Sequence, residues 1–322
     1  MLKGNAIVGQ SGGPTAAINA TLSGVIRGVL AAKDEGIIDT LYGMRNGIEG
    51  VLRRDYVNLT DLFSGDDALL TDLEHTPAAA LGSCRKKLPQ DSGDPLYETL
   101  FSEFEKMNIR YFFYIGGNDS MDTVAKLTAA AEVRHYDMRI MGVPKTIDND
   151  LAGTDHTPGY GSAAKYIAVS VEEILRDCSV YTIPAVTLVE FMSRDAGCLT
   201  PAVGLPSLVF GEGPDLVYLP ERTFSVEEFL SDVRAALARH PGVVVAVSEG
   251  VRNADGEYIG SLGQSGAVDA FGHKYLAGTG KVLENIVKES IGCKVRSIEL
   301  SLPQRCAAHL ASATDLAESV TI

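Results

Sequence analysis

Three short segments of this 322-residue chain crowd anion-binding and proton-transferring groups immediately after apolar runs. The first is Gln10-Ser11-Gly12-Gly13-Pro14-Thr15, which follows the run NAIVG. Its two glycines let backbone N–H groups approach a ligand, and a helix behind them turns its positive end toward the same place. Such a loop is either an anion site or a tight strand-to-helix turn. It is neither GxGxxG nor the Walker pattern, so those nucleotide fingerprints do not apply. The second segment, Gly116-Gly117-Asn118-Asp119-Ser120-Met121, repeats this logic and adds an amide and a carboxylate. Asp119 or Ser120 can cap the helix that follows. An aspartate beside a phosphate site is also a natural Mg²⁺ ligand, because Mg²⁺ takes few carboxylates and shares phosphate oxygens. The third segment is Val143-Pro144-Lys145-Thr146-Ile147-Asp148-Asn149-Asp150. Burying charge is costly unless it is paired, so two carboxylates and a lysine at a buried strand end suggest chemistry. One carboxylate can serve as a base toward an alcohol, the other as a metal partner, and the lysine can hold a phosphate. The structural alternative is a turn built on an Asx motif.

The elements that must carry these segments follow from hydrophobic spacing. Residues 5–9, 110–115, 138–143, 182–190 and 242–248 read as strands, and most are apolar throughout. Helices are expected over about 15–32, 120–133, 161–177 and 226–238, the last with Ser225 as N-cap. Strands without polar alternation belong to sheets covered on both faces, usually parallel with helical crossovers. The fold class is therefore α/β. In such sheets ligands sit beyond the carboxyl ends of the strands, which is where the three segments fall. The length suggests about two domains at roughly 150 residues each, with no repeat, low-complexity segment or obvious linker between them.

Composition narrows the partners. The chain has 42 acidic and 28 basic side chains, a formal charge of −14. Phosphate polymers and anionic membranes are repelled by such a surface, so neither nucleic acid nor membrane is expected as a partner. A local basic pocket for a small phosphorylated ligand remains compatible with it. The five cysteines are scattered without a CxxC pair, as expected for free thiols in a reducing compartment. The start lacks the apolar core of a signal peptide, and no apolar run approaches ~18 residues. These features read as a cytoplasmic protein. His75, His135, His156, His240, His273 and His309 show no metal-ligand spacing. The acidic stretches near 61–72 and 103–105 read as solvated faces.

Taken together, GGPTAAINA, GGNDSM and PKTIDND resemble the phosphofructokinase family, most closely its pyrophosphate-dependent branch. Further matches follow in order: Leu81-Gly82-Ser83-Cys84-Arg85, Phe191-Met192-Ser193-Arg194-Asp195-Ala196-Gly197, Ser248-Glu249-Gly250, Arg296, and Gln304-Arg305. The resemblance spans about residues 5–310. It implies two similar doubly wound, Rossmann-like lobes with mostly parallel sheets and an active site in the cleft between them. The donor lobe would comprise 1–159 plus 304–322, and the sugar-phosphate lobe 160–303. Relatives of this branch run on past the Gln304-Arg305 segment, so the first lobe is expected to lack its last part.

The resemblance also implies the chemistry: reversible transfer of a phosphoryl group between pyrophosphate and the 1-hydroxyl of fructose 6-phosphate, with Mg²⁺. Asp148 would be the base, with Arg194 and Lys145 as its catalytic companions. Gly12, Gly13, Arg85, Gly117, Asp119 and Lys145 would bind the donor. Thr146, Asp148, Asp150, Met192, Arg194, Glu249, Arg296 and Arg305 would bind the sugar phosphate. Asn118, Asp119 and Asp150 would face the metal. Relatives are dimers or tetramers, so a homo-oligomer is expected. The ATP-using branch typically has glycine at the positions of Asp119 and Lys145. A lysine there can pair with a terminal diphosphate oxygen, while an aspartate crowds and repels an α-phosphate. This favours pyrophosphate over ATP. Three departures stand out: Asn118 where many relatives have Asp, Ser193 where glycine is usual, and Ala185 and Leu302 where ATP-using relatives carry phosphate-binding side chains. The alternatives are an ATP-dependent 6-phosphofructokinase or related sugar kinase, and a non-catalytic regulatory or metabolite-binding subunit.

Overall fold

The computed structural model describes residues 2–263 and 278–322; His273 lies outside them. The chain divides into two compact units, one of Met1–Ile147, Leu151–Ser162 and Cys306–Ile322, the other of Asp148–Asp150 and Ala163–Arg305.

The first unit is built on five strands: β1 (Gly4–Gln10), β2 (Ile38–Met44), β3 (Tyr56–Asn58), β4 (Ile109–Gly116) and β5 (Arg139–Pro144), in the order β3-β2-β1-β4-β5. All neighbours run parallel except the β2–β3 edge pair. Side chains alternate across the sheet. Ile7, Phe112 and Tyr114 point into one apolar cluster. Ala6, Val8, Ile115 and Val143 point into the other. Both faces are thus covered, which is why the central strands read as unbroken apolar runs. The chain leaves β1 toward β2 and later returns on its other side as β4. The loops after β1 and β4 therefore flank the point where strand order reverses, the place where open α/β sheets bind ligands.

The second unit has four parallel strands, β6 (Ala185–Phe191), β7 (Leu216–Tyr218), β8 (Gly242–Ser248) and β9 (Lys294–Glu299), in the order β7-β8-β6-β9. β6 is buried along its whole length. Val186 and Leu188 pack with Val243, Val245 and Val247 against the helices Val226–Leu237 and Thr279–Ser290.

Several expected elements shift. The helix after β4 begins at Asn118, with Gly117 in the cap position and no side chain capping it, so neither Asp119 nor Ser120 is the cap. The last helix runs Ala313–Thr321, where Ser312 caps it by accepting the Asp315 N–H. Ser225 caps its helix as expected. Glu103 is not on a solvated face. It is buried, and bonds to Lys106 (2.7 Å) and then Arg54 (2.8 Å) hold its carboxyl below the usual range against the opposing effect of burial.

Candidate active site

In the first unit the segments after β1 and β4 lie at the strand ends together with the Lys145-Thr146-Ile147 part of the third, which follows β5; Asp148–Asp150 belong to the second unit. Ser11 donates its backbone N–H to Ile115 (2.9 Å), which ties the β1 loop to β4. The Ser120 hydroxyl reaches the Ser11 hydroxyl at 2.9 Å, both buried, so the two glycine loops are joined side chain to side chain. Gly12 has φ +75, a left-handed backbone that favours glycine. The LGSCR loop clasps it: Ser83 Oγ donates to the Gly12 carbonyl (2.5 Å), and the Gly12 N–H reaches the Cys84 carbonyl (3.3 Å). Of the two backbone donors expected to cradle phosphate, that of Gly12 is therefore engaged within the fold, and Gly13 supplies the other.

Lys145 is the key side chain here. It is 2 % exposed, follows β5 directly, and donates from Nζ to the Gly13 carbonyl at 2.6 Å. A Cβ added at Gly12 would lie 3.3 Å from the same Nζ. A buried ammonium inside the β1 loop is a preformed anion partner, held where charge is costly unless matched. Thr146 continues from it and bonds through its N–H to the Pro158 carbonyl (3.2 Å). Asn118 and Asp119 are exposed in the first turn of the helix after β4, and Asp119 pairs with Lys87 at 3.7 Å. Arg85 is exposed beside the clasped loop. The side-chain oxygens of Asn118 and Asp119 are the hard type that suits Mg²⁺.

In the second unit the ends of β6 and β8 interlock. Ser248 Oγ donates to the Ser193 carbonyl (2.8 Å), and the Gly250 N–H donates to Ser248 Oγ (3.1 Å). Gly250 is demanded by packing, since a Cβ there would lie 1.6 Å from the Arg194 carbonyl oxygen. Ser193 has φ 135, a conformation that glycine adopts without strain and a serine holds at a cost. Its hydroxyl is turned back to the Ala196 carbonyl. Glu249 accepts the Ser193 N–H (3.2 Å). Burial raises its carboxyl above the usual range, with the Ser193 bond and Arg194 opposing and Asp148 and Asp195 assisting. Glu249 thus lies within electrostatic reach of both Arg194 and Asp148. Arg194 Nε is buried and makes no hydrogen bond among the described residues, an orphaned donor suited to an anionic or hydroxylated ligand. Asp148 is half-buried and Asp150 exposed.

Sequence reasoning missed the residues that hold this arrangement. Gln304 is buried and spans Met192, accepting its N–H (3.0 Å) and donating to its carbonyl (3.1 Å). Gln10 and Asn19, both fully buried, bond to each other (2.9 Å) and accept the N–H groups of Leu81 and Ala80 (2.9 Å each), fixing the LGSCR loop. The available signal was a polar residue at an otherwise apolar core position.

Arg296 is not brought to the strand ends. It is the third residue of β9, opposite Thr187, whereas Glu299 stands opposite Glu190. That leaves it about 13 Å short of the β6 end at Phe191, at ~3.3 Å per residue. Its guanidinium bonds to the Tyr181 hydroxyl (3.1 Å) and lies 4.0 Å from Asp177, lining a 210 Å³ cavity with Thr187 and Ile298. Arg305 follows Gln304 in the short helix Ser301–Cys306.

The paired glycine loops, the buried lysine and the interlocked acidic turn agree with what comparison finds. A sequence profile described as Phosphofructokinase matches residues 5–320. This chain belongs to the phosphofructokinase family. It is 42% identical over 318 residues to the pyrophosphate–fructose 6-phosphate 1-phosphotransferase of Xanthomonas campestris, covering 98% of this chain and 74% of that protein. The corresponding Methylococcus capsulatus protein is 40% identical over 321 residues, covering 99% and 74%. The crystal structure of a pyrophosphate-dependent phosphofructokinase from Nitrosospira multiformis matches with a TM-score of 0.84 at 37% identity, covering 99% of this chain and 74% of that one. No helix among the described residues is long and apolar enough to cross a membrane.

Proposed function

We propose that this phosphofructokinase moves a phosphoryl group reversibly between pyrophosphate and the 1-hydroxyl of fructose 6-phosphate, giving fructose 1,6-bisphosphate. The observation that carries the donor assignment is Lys145, whose buried ammonium lies against the Gly13 carbonyl inside the β1 loop. A cation there matches a terminal diphosphate oxygen and fills space that a nucleotide would need. Asp119 in the next loop adds negative charge against an α-phosphate. The names of the similar proteins point the same way.

In this reading Gly13, Gly117, Arg85 and Lys145 hold the donor. Asp148 accepts the proton of the attacking hydroxyl, and Arg194 stabilises charge as it shifts between oxygens. Glu249 accepts hydrogen bonds from sugar hydroxyls, and Met192, Thr146 and Asp150 border the sugar. Arg305 grips the 6-phosphate. Arg296 would reach such a phosphate only from a second copy of the chain, which supports a homo-oligomer, dimer or tetramer. The divalent metal would be Mg²⁺, and Asn118, Asp119 and Asp150 are the residues that would hold it. Bound Mg²⁺ neutralises charge on the transferring phosphates. The protein acts in the cytoplasm.

The test is a coupled assay with Mg²⁺, fructose 6-phosphate and either pyrophosphate or ATP, reading fructose 1,6-bisphosphate. Turnover with pyrophosphate is expected. Turnover with ATP alone would overturn the donor assignment, and turnover with neither would favour a non-catalytic metabolite-binding subunit.

A further inference from the structure

Away from the strand ends, the first unit gathers His156, Asp315 and Glu318 so that one ligand atom from each lies within 4.8 Å of the others. Asp315 and Glu318 are three residues apart on the helix Ala313–Thr321, and therefore on one face. His156 comes from the segment between Asp150 and the helix Tyr160–Ser179. Asp315 is fully buried. Its Oδ2 is fixed by the Ser162 N–H (2.5 Å) and hydroxyl (2.6 Å), while its Oδ1 makes no hydrogen bond among the described residues. His156 Nε2 lies 3.1 Å from that Oδ1 yet forms no hydrogen bond with it. The other ring nitrogen, Nδ1, lies 2.5 Å from Glu318 Oε2.

We propose that this node is a second divalent-cation site, taking a transition ion such as Zn²⁺ through His156 Nε2 and Asp315 Oδ1. Two donors on one tetrahedral ion, each bonded at about 2.1 Å, lie ~3.4 Å apart, close to the spacing seen here. Glu318 supplies the outer partner that metal-bound imidazoles require, since its carboxylate on Nδ1 fixes the tautomer and leaves Nε2 as the ligand. Ser162 orients the Asp315 carboxylate in the same way. The imidazole nitrogen selects transition ions over Mg²⁺ and Ca²⁺. The His156 and Glu318 side chains are 30% and 44% exposed, which gives the ion an entry path and room for water ligands. Such an ion would tie the helix Ala313–Thr321 to the segment that leads from Asp150 to Tyr160. It is separate from the metal that serves phosphoryl transfer.

The test is calorimetric titration of the full chain with Zn²⁺ in excess Mg²⁺, paired with Co²⁺ absorption spectra. One ion per chain is expected. His156→Ala should abolish binding, and Glu318→Gln should weaken it about 10- to 100-fold. Glu318 is half-exposed, so its variant tests the site even where His156→Ala folds poorly. Binding that neither substitution changes would place the ion elsewhere and overturn the proposal. Absence of binding, with both ring nitrogens of His156 carrying protons by ¹⁵N NMR in the presence of Zn²⁺, would overturn it in favour of a charged imidazolium held between two carboxylates.

Discussion

The two units place their candidate groups at the same address, the carboxyl ends of central parallel strands, but build them from different material. At the ends of β1, β4 and β5 the working surface is mostly backbone: glycine loops clasped by Ser83 and Cys84, with one buried ammonium, Lys145, set among them. At the ends of β6 and β8 it is mostly side chain: Glu249 and Arg194 on turns locked by Ser248, Gly250 and Gln304. A diphosphate is a small, highly charged anion, which backbone N–H groups and a point charge suit. A sugar phosphate has hydroxyls to be counted and a reacting oxygen to be oriented, which needs side chains in fixed places. The division also predicts where each unit is brittle.

The largest effect is expected at Gly250. Ala there would drive a Cβ against the Arg194 carbonyl, backbone against backbone, so neither partner can swing aside. Gly250→Ala should cost on the order of 3 kcal/mol or more in denaturant unfolding and abolish sugar-phosphate binding. A stable, active variant would show that the two turns are not locked.

Glu190 comes next. It is buried at the end of β6 and accepts the N–H groups of Gly280 (2.7 Å) and Gly278 (3.3 Å), with its carboxyl pushed up to about 7 by burial, against those two bonds and with help from Glu299 and Glu249. The native state thus holds this proton more tightly than the unfolded chain does. Its contribution to stability is full below the ordinary carboxyl range, near pH 4.5, and is lost as pH rises through about 7. At ~1.4 kcal/mol per pH unit, the stability of Glu190→Gln relative to the parent should rise by up to about 3 kcal/mol between pH 4.5 and 8. Unfolding curves at several pH values check this; a pH-independent difference would remove Glu190 as the source.

Gln304→Leu leaves two backbone groups of Met192 without partners and should cost about 2 kcal/mol, with a raised KM for fructose 6-phosphate and an unchanged KM for pyrophosphate. Equal shifts in both constants would blur the division between the units. The smallest effect is expected at Gly12. Ala there meets only the Lys145 ammonium, at 3.3 Å, plus the strain of φ +75, about 1 kcal/mol. Gly12→Ala should raise the KM for pyrophosphate while sparing stability, the reverse of Gly250→Ala.

Much of this was legible in the sequence. The apolar runs at 5–9, 110–115 and 242–248 are strands because buried parallel sheets need no polar alternation. The segments after them stood out because glycine pairs and carboxylates are conspicuous beside apolar residues. Short edge pieces such as β3 and β7 escaped notice, since three residues carry no periodicity. Gln304, Gln10 and Asn19 escaped because their partners are backbone atoms, which leave no mark in side-chain chemistry. The His156 node escaped because 156 and 315 meet only through the fold. Arg296 was read from motif order, which does not report how far along a strand a residue sits.

In the proposed reaction Asp148 takes the proton from the sugar hydroxyl while other residues do the binding. Steady-state kinetics of Asp148→Asn, with pyrophosphate and fructose 6-phosphate each varied, test it most directly. The account predicts that kcat falls by about 10²- to 10⁴-fold while both KM values change little. A retained kcat, or a loss that appears only in the KM for fructose 6-phosphate, would contradict it.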